Sequence, residues 1–94
     1  MTKGDMGLLC ILLKQPKGFT ALCPDLDVAS EGATPAQAKK MLSEAVEFHL
    51  EAAFENNLPP LRPIPPDQDP RKTSPETIIE TFHIHADLSV QVHA

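Results

Sequence analysis

The chain has 94 residues and a mass of 10.2 kDa, of which 41% are hydrophobic and 22% charged, the size of one compact domain. Eight Lys and Arg stand against thirteen Asp and Glu, a net charge of −5, so the surface field repels nucleic-acid phosphates and anionic membranes and attracts basic partners. Aromatic content is 4%, four Phe without Trp or Tyr, which leaves little for base stacking and points to binding rather than catalysis.

The first apolar run, Gly7 to Leu13, closes on Lys14-Gln15-Pro16-Lys17-Gly18 and resumes as Phe19 to Cys23, which predicts a β-hairpin. A helix could also fit so short a run. The first strand is apolar at both parities, so it should lie inside a sheet with cover on each face. A turn centred between Pro16 and Lys17 pairs residues whose numbers sum to 33 and sets Cys10 opposite Cys23. A disulfide there would be strained, and two cysteines without CxxC spacing make neither a disulfide scaffold nor a metal site. They read as buried thiols in a reducing cytosol. The stretch Met6 to Leu13 cannot span a bilayer and lacks a cleavage site, so a cytoplasmic protein without membrane contact is expected.

Pro24-Asp25-Leu26-Asp27 forms a tight turn, Val28 to Glu31 a short strand, and Thr34-Pro35-Ala36-Gln37 a helix start with Thr34 as cap and Gln37 as its capping-box partner. Apolar or small residues at 38, 41, 42, 45, 46, 49, 52 and 53 form a helical stripe, and Asn56-Asn57 before Pro59-Pro60 ends it. From Leu58 to Pro75 the chain holds seven of its ten prolines and reads as a polyproline-like arm on the surface. In the tail, Ile78, Phe82, Ile84, Ala86, Leu88, Val90 and Val92 share one parity and Thr81, His83, His85, Asp87, Ser89, Gln91 and His93 the other. This is a strand or hairpin that must pair with a sheet in its own subunit or a neighbouring one. Phe82, Ile84, Leu88 and Val90 are the expected oligomer contacts. The chain thus divides into 1–57, a βββα unit; 58–75, the arm; and 76–94, the sheet-completing tail. The class is α+β: a three- or four-stranded antiparallel sheet with one long helix.

The stretch Phe19 to Pro35, with Cys23-Pro24-Asp25-Leu26 and Ser30-Glu31-Gly32-Ala33-Thr34, followed by Ala38, Leu42, Glu44, Ala45 and Leu50, resembles the HicB antitoxin family over roughly residues 7 to 57. That family's pattern is a strand ending in Cys-Pro-acidic-Leu, a short strand ending in Ser-x-Gly-x-Thr, and an Ala-rich helix. The resemblance implies a partial ribonuclease-H-like sheet, neutralisation of a small basic HicA-like toxin that cleaves RNA, and assembly into dimers or tetramers. Many such proteins append a helix-turn-helix or ribbon-helix-helix domain. Here the residues after the arm have strand periodicity, so no DNA binding by this chain alone is expected.

Asp25, Leu26, Asp27 and Glu31 are the candidate partner-binding residues, an acidic edge that would meet the toxin's RNA-binding face. A two-metal hydrolase would need further acids beside Asp25 and Asp27, and no catalytic residue or cofactor is expected. His83 and His85 could offer two nitrogens to zinc, but an incomplete donor set favours polar strand-face histidines. His49 reads as a hydrogen-bonded helix residue. A toxin-less, self-assembling module is the alternative.

Overall fold

The computed structural model describes residues 5–87, with side chains over 7–85. Strand β1 spans Asp5–Gln15, β2 Gly18–Cys23, β3 Val28–Gly32 and β4 Ile78–Asp87, and helix α1 spans Pro35–Glu55. They form one four-stranded sheet in the order β3-β2-β1-β4, antiparallel at each pairing. The expected α+β class is correct, and β4 pairs with β1 of its own chain over the described residues.

The hairpin has the register its turn predicts, with Ile11 opposite Leu22 and Gln15 opposite Gly18. One further step places Cys10 beside Cys23, and both are free, fully buried thiols. A hydrogen bond with Cys23, reinforced by burial, holds the Cys10 thiol far above its usual range. Such a thiol behaves as a small core hydrophobe.

Both faces of β1 are covered, as its double-parity apolar run requires. On the first face Leu8, Cys10 and Leu12 meet Ala21, Cys23 and Leu26 and the helix residues Ala38, Leu42, Val46 and Leu50, with Phe82 and Ile84 packed alongside. On the second, Ile11, Leu13 and Leu22 are covered by Ile64 and Ile78. Part of this cover, Ile64, comes from the proline-rich arm, expected to be a continuous extended connector on the surface. It is instead folded: 3₁₀ turns at Pro66–Gln68 and Pro75–Thr77 flank a short helix α2, Pro70–Thr73. Between prolines 60 and 65 only three amides can donate, and two of them dock the arm, Arg62 N–H to the Asp25 carbonyl at 2.9 Å and Ile64 N–H to the Pro24 carbonyl at 2.8 Å. Asp69, nearly fully buried, caps α2 and grips Arg71 through both carboxylate oxygens, the closest contact being 2.6 Å. The Arg71 guanidinium holds this carboxyl below its usual range.

Helix α1 starts as the capping-box residues predict. Thr34 Oγ1 accepts from Gln37 N–H at 3.1 Å and Gln37 Oε1 accepts from Ala33 N–H at 2.8 Å. It packs chiefly over β3 and β2, and on its β4 side Lys39 pairs with Glu80 and sits 5.1 Å from the Phe82 ring centroid. Among the described residues no helix is long and apolar enough to cross a membrane.

Candidate interaction surfaces

Two edges bound the sheet, and the expected partner-binding residues lie along one of them. The turn joining β2 to β3 closes with Leu26 N–H donating to the Cys23 carbonyl at 3.2 Å. Asp27 then takes the left-handed conformation, φ 55°, that leads into β3. A short polar residue tolerates this geometry better than a branched one. Asp25 and Asp27 project from the turn and are exposed, as is Glu31 four residues along β3. Asp25 and Asp27 lie in the turn, whereas Glu31 stands three strand steps beyond Val28, about 10 Å along β3. The three acids are therefore spread from the turn to the far part of an edge strand, not gathered in a cluster.

Leu26 departs from its expected role. It is fully buried in the first core, among the side chains of β1, β2 and α1, so it anchors the turn and has no surface to offer a partner. Its position after Asp25 in a tight turn explains the inversion, because the chain reverses there and one side chain must point inward. The arm docks on the same turn through the Arg62 and Ile64 amides, so the acidic loop is braced on both sides.

The opposite edge is β4. Phe82 and Ile84, expected at an oligomer contact, are half-buried and pack against the first core of their own chain. Leu88 and Val90 lie outside the described residues. A bulge separates the pairs Leu12–Glu80 and Leu13–Ile78, leaving Ile79 unpaired and 51% exposed. The extra residue moves Ile78 to the second face, away from Phe82, although both have even numbers. His83 and His85 lie exposed on the second face, paired with Leu9 and Gly7. The His85 ring would sit 3.4 Å from a Cβ at position 7, so the glycine leaves room above the strand. Among the described residues no three His, Cys, Asp or Glu side chains are placed to hold one metal ion. His49 is hydrogen-bonded, as its helix position suggests: its Nε2–H donates to the Pro60 carbonyl at 3.0 Å, clamping the start of the arm to α1.

The sequence stripe misplaced one feature. Met41, counted among the apolar helix positions, is 44% exposed, and Phe48, outside that stripe, is 73% exposed. The signal was present in the seven-residue spacing of two large apolar side chains on the helix's outer flank.

No family model and no curated protein matches the chain. A solved structure is similar: a chain described as part of a HicA3 and HicB3 toxin-antitoxin complex, 28% identical, with the match covering 86% of this chain and 93% of that one at a TM-score of 0.54. Both the identity and the coverage support a toxin–antitoxin relationship for the present chain.

Proposed function

We propose that this protein is the antitoxin of a toxin–antitoxin pair and neutralises a small, basic, RNA-cleaving toxin of the HicA kind by binding it. The observation that carries the reading is the likeness, over most of both chains, to a chain of a HicA3 and HicB3 complex. Net charge favours the antitoxin role. An enzyme that grips RNA needs a cationic face to neutralise phosphates, whereas this chain has a net charge of −5. An anionic surface instead complements the cationic face of such an enzyme and accelerates encounter with it. The Cys-Pro-Asp-Leu and Ser-Glu-Gly-Ala-Thr segments that resemble HicB form the turn and the β3–α1 corner.

Asp25, Asp27 and Glu31 are the contacts we assign on the sheet edge, with Leu26 as the buried anchor that holds the turn. The test is purification of the tagged full chain from its own host, followed by titration of the co-purifying basic protein. Reversing all three acids to Lys should weaken that complex at least tenfold. Unchanged affinity would remove the edge from the interface, and recovery of no basic protein would overturn the antitoxin reading.

Self-association is a second reading, favoured by the outer edge of β4, which no described strand covers. Its measure is mass by light scattering, where a monomer at all concentrations would exclude it.

A further inference from the structure

Five large hydrophobic side chains are exposed among the described residues, and four of them, Met41, Phe48, Leu58 and Leu61, belong to α1 or to the segment that leaves it. At 100° per residue, Met41, Ala45, Phe48 and Ala52 lie within about 60° of one another on α1, beside the buried stripe rather than within it. Leu58 and Leu61 extend the strip: Leu58 N–H donates to the Ala53 carbonyl at 2.8 Å as the helix ends, and both leucines line a groove with Ala52, Asn56 and Pro59. Lys39, on the opposite flank of the buried stripe, reaches Glu80 on β4, so this strip overlooks the β3 side. Its lower end meets the acidic turn, because Arg62 N–H holds the Asp25 carbonyl.

The outer rim of the strip is anionic. Glu44, Glu47, Glu51 and Glu55 are all exposed on that flank, where Lys40 is the one basic side chain. Neither of the two ion pairs among the described residues uses any of these four acids. An exposed apolar anchor beside unpaired carboxylates costs solubility as a free surface and matches a partner with apolar side chains flanked by Lys or Arg. A second copy of this chain fits poorly, since it brings the same acids and a charge of −5 against −5.

We propose that the α1 strip from Met41 to Leu61 is the main docking surface for a basic protein partner, with Phe48 as its central anchor and the glutamate rim selecting for positive charge. The inference deepens the antitoxin reading, on which it rests for the partner's basic character, and moves the apolar part of the interface from the β2–β3 turn to the helix. Aromatic anchors of this kind carry a disproportionate share of binding energy.

The experiment titrates the full chain with a synthetic helical peptide of about 18 residues, about five turns, with Leu on one face and Lys on the other, followed by fluorescence anisotropy. A second peptide replaces each Lys by Glu. The Lys peptide should bind and the Glu peptide should not. Phe48→Ser, and separately the triple change Glu44→Gln, Glu51→Gln and Glu55→Gln, should each weaken binding at least tenfold while circular dichroism shows an unchanged fold. The strip is overturned if Phe48→Ser binds the Lys peptide as the native chain does, if both peptides bind alike, or if sedimentation shows a dimer that Phe48→Ser dissociates. These outcomes are separate from failure of the antitoxin reading, which is judged by whether a basic toxin co-purifies with the chain.

Discussion

Gly32 closes β3 where the chain turns into α1, and the space for its missing side chain is already occupied. A Cβ at this position would lie 2.5 Å from Ala38 N, 2.9 Å from the Gln37 carbonyl carbon and 3.0 Å from Ala38 Cα. All three atoms belong to the backbone of the first helical turn, so no side chain can swing aside. Restoring ordinary contact at 3.4 Å would require Ala38 N to recede by about 0.9 Å. That displacement pulls on the hydrogen bonds of Thr34 and Gln37 that begin the helix. Overpacking costs about 1–3 kcal/mol and a weakened cap about 1. Gly32→Ala should therefore destabilise the fold by about 2–4 kcal/mol, roughly 8–30 °C in Tm for a domain of this size. With no Trp in the chain, the transition is read by far-ultraviolet circular dichroism of the 21-residue helix in urea. Gly7→Ala is the matched control: its Cβ would meet only the His85 ring at 3.4 Å, and it should be neutral or stabilising by up to about 1 kcal/mol. A Gly32→Ala variant that stays within about 0.5 kcal/mol of the native protein would refute the close approach of the helix backbone to Gly32.

Leu26→Ala should cost about 2–5 kcal/mol in urea unfolding, because it empties a fully buried core position, whereas Asp25→Lys beside it should change stability by less than about 0.5 kcal/mol. Equal effects from the two would contradict the anchor role. Asp69→Asn should lower stability by about 2 kcal/mol near neutral pH through loss of the charged grip on Arg71. Since the folded carboxyl titrates below its unfolded value near 4, that stabilisation is complete above about pH 4 and disappears as pH falls through the lowered folded value. Unfolding curves of the native chain and Asp69→Asn should thus converge at acid pH, and a gap independent of pH would rule out the ion pair as its source. Ile64→Ser should cost about 1–3 kcal/mol by uncovering Ile11 and Leu22, measurable by the same unfolding curves. No change would mean that the arm contributes nothing to the second core.

The elements legible in the sequence were those whose determinants are local. The turn around Pro16 and Lys17 sets the β1–β2 register, and Thr34-Pro35-Ala36-Gln37 sets the helix start, because each depends on residues within one turn of it. The glycine of the Ser-Glu-Gly-Ala-Thr segment has a physical reason that only the structure supplies, the approach of the Ala38 amide. The arm was less legible because its proline count masked Asp69-Pro70-Arg71, a capped helical start whose carboxylate is buried only once the arm folds. Parity also failed at Ile78, where one bulged residue, Ile79, exchanges the faces of the sheet. The acidic residues of the β2–β3 turn were visible as charges, but the inward direction of Leu26 depends on tertiary packing. The seven-residue spacing of Met41 and Phe48 puts them on one flank of α1, but that this flank is exposed depends on where the helix sits over the sheet, toward β3 and β2.

The most direct measurement of the antitoxin reading is RNA cleavage by the co-purifying basic protein, assayed after the two chains are separated under denaturing conditions and refolded. Cleavage should proceed with that protein alone, stop when the native chain is added in equal amount, and resume when the chain carries Lys at positions 25, 27 and 31 together with Phe48→Ser. Cleavage unaffected by the native chain would contradict the account.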